Sequence, residues 1–424
     1  MLNALFCLKC KMKSAIMDVR FKTMSKIKRT YYFDQMVNSL GDLKVKLLTG
    51  VKGCGKTELV KDFIEYLSVN SETTNIIYVN FDKTDFDNLK KKNSLLRYIS
   101  SSYAEDKMNF VFIDEVQKCS DYVDVILNLY DNGEYNLYLT ASADILQNPE
   151  VAEKIGAFTK QIMIYPFSYR EYLEYYGIDG STPRLYSALD GYIRNGGLPE
   201  TYNYTSISQR YNLVEKEIYG QSVMKELQGV HVIKNRAILF GTVNYLYNNL
   251  GKVTSGGEIS NYLVSRNATS DNKTVSKYLG YLTASKLFEE VERFDLRKQV
   301  ILAKENKYFV SDLMFRYAHL SSQEIDMQKA LENLVVMQLL RNGYDVKCAQ
   351  LYQKEFGFFV TGHNRKFYVA VSDSVAEEEL TDAAENMLKI KDNYPKMVLA
   401  RTSKEPMDHR GVEIIDAASW LYNN

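Results

Sequence analysis

Short apolar runs alternate with amphipathic stretches through the first part of the chain. Val45–Leu48 reads as a buried strand, and a glycine-rich turn separates it from a helical pattern reaching about Leu67. Asn75–Asn80, Phe110–Ile113, Asn136–Thr140 and Ile162–Ile164 are further strand-like runs, with helical spacing between them, as in Tyr122–Tyr130. Strands that alternate with helices require crossover connections, so the pattern predicts a mainly parallel α/β sheet ending near Gly177. From Pro183 to about Leu250 the spacing is helical, with a sharp break at Asn195-Gly196-Gly197-Leu198-Pro199.

Two short helical patterns, Ile259–Leu263 and Lys273–Leu282, precede strand-like runs at Phe288–Glu292 and Val300–Val310. That order predicts a winged helix-turn-helix over 251–326. The remainder, 327–424, opens with a helix to Arg341. Strands follow at Glu355–Val360 and Lys366–Val371, then a helix over Glu377–Lys391 and a strand at Lys396–Ala400. The expected domains are therefore a basic N-terminal arm (1–26), an α/β core (27–177), a helical segment (178–250), the winged helix and a C-terminal α/β domain.

Composition narrows the classes. A chain of 424 residues exceeds what one core usually serves. Lys plus Arg equal Asp plus Glu at 53 each, so no global field draws the protein to nucleic acid or an anionic membrane. No run approaches the roughly 18–20 apolar residues of a membrane helix. The order of charge and apolar residues at the N-terminus does not fit an export signal. Five scattered Cys suit a reducing compartment and a cytoplasmic location. Cys7-x-x-Cys10 has metal-ligand spacing, but no second pair or nearby His completes a site.

Gly50-Val51-Lys52-Gly53-Cys54-Gly55-Lys56-Thr57 carries the chemistry, satisfying G-x-x-x-x-G-K-[ST] at every fixed position. Glycines let the backbone turn its N–H groups toward phosphates. Lys56 supplies a cation to the β- and γ-phosphates, and Thr57 a hydroxyl for Mg²⁺ at a helix start. The loop follows a buried strand and opens a helix, which is the context the motif needs. Phe110-Val111-Phe112-Ile113-Asp114-Glu115 is the matching apolar run ending in two acids: Asp114 to hold Mg²⁺ through its water shell, Glu115 to orient or deprotonate the attacking water. Both acids are intact, so the expectation is ATP hydrolysis with Mg²⁺ as well as binding. At the tip of the next strand Thr140 or Ser142 could sense the γ-phosphate. For the charge-compensating cation Arg170, Arg184 and Arg194 are available, and the sequence does not choose among them.

The ordered set Gly50–Thr57, Ile113-Asp114-Glu115-Val116-Gln117, Leu139–Ser142, Pro166-Phe167-Ser168-Tyr169-Arg170-Glu171-Tyr172 and Gly196-Gly197-Leu198-Pro199 resembles prokaryotic AAA-type ATPases. The resemblance runs from about Ile27 to the C-terminus. It implies a P-loop NTPase core with a helical lid, a winged helix and a C-terminal restriction-endonuclease-like domain. Two departures accompany it. Relatives often carry a Gly-Arg pair before the Pro-x-Ser-Phe element, whereas Gly156 is followed by Ala157. In the terminal domain Glu332 and Glu355 fit the nuclease-like acids, but Gly357 stands where an Asp is expected, and Ala370 and Ser372 replace a Gln and a Lys. Metal-dependent phosphodiester cleavage is therefore not expected.

Three functions stay open: an ATPase whose nucleotide state controls a protein partner, a DNA-binding ATPase, and a slow nucleotide-gated switch. For the second, Lys277 on the presumed recognition helix and Arg293, Arg297 and Lys298 on the presumed wing are the candidate contacts. Self-association is compatible with each.

Overall fold

The computed structural model describes residues 27–424 except 225, 226, 228–232, 269, 321–324 and 353. The basic arm and the Cys7–Cys10 pair lie outside the described residues. The chain divides into two compact units, one ending at Ile164 and one comprising Tyr165–Asn424.

In the first unit, β1 (Val45–Thr49), β2 (Thr74–Asn80), β3 (Met108–Asp114), β4 (Tyr135–Thr140) and β5 (Thr159–Met163) form a parallel sheet in the order β2-β3-β4-β1-β5. Each predicted strand is present, within a few residues of its expected ends. Both faces are covered, which is why the strands read as continuous apolar runs. One face buries Leu47, Val79, Val111, Ile113, Leu137 and Leu139. On the other, Phe63 of the helix Lys56–Asn70 packs on Tyr138 and Phe112, with ring centroids 5.1 and 6.2 Å apart. Lys46 is an exception inside β1. It is fully buried, with its ammonium 4.7 Å from the Tyr138 ring centre and donating to Asp42 O at 2.8 Å. Because β4 lies between β1 and β3, the loops leaving all three strands meet at one sheet edge.

The strands of the second unit are β6 (Val253–Thr254), β7 (Phe288–Asp295), β8 (Val300–Val310), β9 (Asp345–Leu351), β10 (Lys354–Gly362), β11 (Arg365–Ser372), β12 (Lys396–Ala400), β13 (Met407–His409) and β14 (Val412–Asp416). They form one nine-stranded mixed sheet, in the order β13-β14-β12-β11-β10-β9-β7-β8-β6. Helices Gly256–Ser265 and Asn272–Ala284 precede the β7–β8 hairpin, in the predicted order. The hairpin does not end a separate domain, however. β7 pairs in parallel with β9, Phe294 opposite Ala349, and Phe294 stacks on Phe359 of β10 at 5.4 Å. One sheet thus crosses the boundary expected at 326/327.

The boundary expected near Gly177 also differs. Helix Tyr169–Tyr176 belongs to the second unit, where Tyr169 and Tyr172 meet Tyr192 at 5.4 and 5.3 Å. A capping box between Ser168 and Glu171 starts that helix. The two motifs around it are joined by backbone contacts. Phe167 N donates to Gly197 O at 2.7 Å, and Gly197 N donates to the buried Asp312 carboxylate at 2.5 Å. A Cβ on Gly196 would stand 2.2 Å from Asp312 Oδ1, and one on Gly197 would stand 2.3 Å from Phe167 O. The Gly-Gly pair is a close-approach requirement of this junction. Burial raises the Asp312 carboxyl from 3.8 to about 6, against the N–H groups of Met314 and Gly197 and the Arg341 cation.

Candidate nucleotide site

The site is assembled from four backbone segments of the first unit. β1 delivers the glycine loop, in which Gly50, Gly53 and Gly55 take φ values of 153°, 84° and 96°. A Cβ on Gly50 would overlap Ile164 O at 2.1 Å, so glycine is obligatory there. Gly55 is the left-handed residue before helix Lys56–Asn70, whose first-turn amides face the loop. Lys56 is buried, and its ammonium donates to Gly50 O at 2.9 Å. Cys54 is a buried free thiol, and its carbonyl accepts from Arg29 Nη1 at 2.8 Å.

β3 delivers Asp114 and Glu115, both buried. Asp114 accepts from Thr140 Oγ1 and from Asn80 Nδ2, the latter at 3.0 Å. Burial raises its carboxyl above the ordinary range, opposed by hydrogen bonds from Thr140 and Thr57. Glu115 adopts φ 59°, and its N–H donates to Thr140 Oγ1 at 2.9 Å. Thr140, at the end of β4, thereby holds both acids. Ser142 is buried two residues further on, where its carbonyl accepts from Ile145 N at 3.4 Å.

The Glu115 carboxylate meets two partners. Its Oε1 lies 3.2 Å from Lys52 Nζ, and its Oε2 accepts from Gln117 Nε2 at 2.9 Å. Burial disfavours its charge, but the Lys56 and Lys52 cations prevail and hold the carboxyl below its usual value. Gln117 Oε1 is buried without a hydrogen-bond partner, so an acceptor stands ready beside the acid. Asp82, after β2, pairs with Lys52 at 3.0 Å and with Lys118. The sequence reading did not use Asn80, Asp82 or Gln117. Gln117, inside the Asp-Glu-x-Gln string, was the only one with a motif to mark it.

The arginines considered from sequence, Arg170, Arg184 and Arg194, belong to the second unit. Arg170 pairs with Glu174 and lies 5.6 Å from the Tyr422 ring centre, and Arg184 pairs with Asp179 at 2.7 Å, all within the second unit. Arg293, expected on an exposed wing, is largely buried and binds Glu305 and Gln350. It ties β8 and β9 to β7 instead of facing outward. Arg297 lies 5.7 Å from the exposed Tyr352 ring, and Lys277 lies 5.5 Å from that of Tyr281.

The nuclease-like positions also come together in part. Glu355 pairs with Lys307 of β8 at 2.6 Å, while Glu332 accepts from Gln328 at 2.8 Å. Gly357 has φ 80° at a register shift between β10 and β9, and a Cβ there would sit 2.2 Å from Val369 O. Among the described residues no three His, Cys, Asp or Glu side chains form a group able to hold a metal. Among the same residues no helix is long and apolar enough to cross a membrane.

Residues 42–173 match the family model of an AAA domain, and residues 186–325 match a Domain of unknown function (DUF8612). The second match runs across the boundary expected at 250/251. An uncharacterized protein of Haemophilus influenzae is 27% identical over 398 residues, covering 93% of this chain and 98% of its own length. Another from Methanocaldococcus jannaschii is 25% identical over 345 residues, covering 76% of this chain and 73% of its own. Among solved structures, a RuvB mutant of Thermotoga maritima aligns with 70% of this chain and 96% of that one, at 15% identity and TM-score 0.32. AMPPCP-bound DnaA of Aquifex aeolicus aligns with 62% and 90%, at 15% identity and TM-score 0.28.

Proposed function

We propose that the chain, whose residues 42–173 match an AAA domain, binds ATP with Mg²⁺ at Gly50–Thr57 and hydrolyses it. One observation carries the reading: Lys56, Asp114, Glu115 and Thr140 converge where β1, β3 and β4 end, beside a loop that only glycine can form. The loop amides and Lys56 bind the phosphates. The Thr57 hydroxyl and Asp114 carboxylate are hard oxygen donors of the kind Mg²⁺ takes. Bound Mg²⁺ would neutralise charge on the phosphate oxygens. Glu115 orients the attacking water and accepts its proton, and Thr140 links that acid to Asp114.

The nucleotide state, in this reading, controls a protein partner through the second unit. In that unit a lysine set against Glu355 and a backbone at Gly357 that excludes an acid weigh against a nuclease role. The inward pairing of Arg293 does not favour the DNA-binding alternative.

The test is steady-state ATP turnover with Mg²⁺. Lys56→Ala is expected to abolish both nucleotide binding and turnover. Glu115→Gln is expected to keep binding and lower turnover by about 10²-fold or more. Turnover in Lys56→Ala equal to wild type would sink the reading.

A further inference from the structure

The glycine loop contains a second lysine with a different environment from Lys56. Lys52 projects from the loop between two carboxylates, 3.2 Å from Glu115 Oε1 and 3.0 Å from Asp82 Oδ2. Asp82 is fixed from behind: its N–H donates to Asn80 Oδ1 at 2.8 Å, and Lys118 pairs with its other oxygen. Glu115 is fixed by Gln117 and by its own backbone bond to Thr140. Lys52 is the more accessible member of the Lys52–Glu115 pair, with 23% of its side chain exposed against 5% for Glu115. Its long stem can therefore swing while the acids stay in place.

We propose that Lys52 is the cis-acting cation for the γ-phosphate of ATP, held on Glu115 at rest and handed to the nucleotide on binding. The proposal rests on the ATP-site reading above. In that reading Glu115 faces the attacking water, so an ammonium 3.2 Å from its Oε1 lies within side-chain reach of the phosphate under attack. The terminal phosphate carries about two negative charges near neutral pH, as many as Glu115 and Asp82 together, and so competes with them for the cation. The handover has two effects. Charge on the transferring phosphoryl group is compensated from within the loop itself. Glu115 Oε1 is also released to take a proton. In the step itself the water oxygen bonds to the γ-phosphorus as the bond to the β–γ bridging oxygen breaks. ADP leaves with that bond's electron pair, and the water's proton passes to Glu115.

The experiment uses the full chain with Mg²⁺ and fluorescent ATP and ADP analogues for affinity, alongside ATP turnover. Lys52→Met is expected to lower kcat about 10²-fold or more and to weaken ATP about tenfold while leaving ADP within about twofold. Lys52→Arg, which keeps the charge, is expected to restore most of both. Lys52→Gln keeps a hydrogen-bond donor for Glu115, guarding the fold, and is expected to show the same ATP-specific loss. Equal weakening of ATP and ADP would overturn the proposal, since Lys52 would then only shape the loop. Unchanged or increased kcat in Lys52→Met would overturn it as well, since Lys52 would then only restrain Glu115. Failure of the underlying reading looks different: Lys56→Ala would match wild type in turnover, whatever the Lys52 variants do.

Discussion

Each unit of this protein sets a lysine against a glutamate, and the two pairs are built differently. Lys52 and Glu115 lie where three strand ends and a glycine loop meet, and the neighbouring Lys56 is held by a backbone carbonyl. Lys307 and Glu355 lie within a continuous sheet, with Glu332 and Cys348 also acting on the lysine. Burial works against the Lys307 ammonium, yet Cys348, Glu332 and Glu355 together hold it above its ordinary range. Glu332 is raised by burial, with Lys307 pulling the other way. The second group thus pairs its cation with acids of its own. The first keeps cations beside a loop of amides, the arrangement that the proposed anionic ligand would require. Clustered charge becomes a binding site only where backbone geometry leaves one side for the ligand.

Three substitutions in the second unit test that contrast. Restoring the missing acid by Gly357→Asp is expected to have the largest effect, a loss of about 3–4 kcal/mol in unfolding free energy with no gain of nuclease activity. The cause is the positive φ and the backbone oxygen that a Cβ would meet at 2.2 Å. Denaturant unfolding measures the loss, and Mg²⁺-dependent cleavage of duplex DNA by the variant would break the comparison.

Lys307→Met removes the neutralising cation and leaves two acids facing one another. A loss of about 2 kcal/mol is expected, moderated because Glu355 is 39% exposed, while ATP turnover stays at the wild-type level. An unchanged unfolding midpoint would show that the pair contributes nothing.

The smallest effect concerns Asp312, a buried carboxylate that accepts from the N–H groups of Gly197 and Met314. Its native carboxyl keeps its proton up to about pH 6, whereas an ordinary one releases it near 3.8. The native state binds more protons in this window, so its stability contribution is full below pH 3.8 and is lost as pH rises through 6. Between pH 4 and 6 the wild type is expected to lose on the order of 1 kcal/mol more than Asp312→Asn. Parallel pH profiles of thermal unfolding would contradict the assignment.

Much of the first unit was legible because a parallel sheet covered on both faces leaves its strands as apolar runs. The glycine loop and the acid pair announce themselves through residue types that few other backbones require. Lys46, a lysine in the middle of a strand, could not be read as buried, since only the Tyr138 ring and Asp42 carbonyl make that position tolerable. Likewise, the sequence reading treated Gly196-Gly197 as a break. The reason for two adjacent glycines is the Asp312 carboxylate against Gly196 and the Phe167 carbonyl against Gly197, both brought up from elsewhere in the chain.

Local pattern therefore determined the strands of the first unit, the helices that follow them, and the choice of Lys56, Thr57, Asp114 and Glu115 as candidates, because spacing and side-chain chemistry act over a few residues. Tertiary structure alone decided that Lys52 meets Glu115, that Arg293 turns inward, and that the hairpin Phe288–Val310 joins the C-terminal sheet. Those outcomes depend on which distant segments become neighbours. Burial and the pairing of charge are settled only once the chain has brought them together.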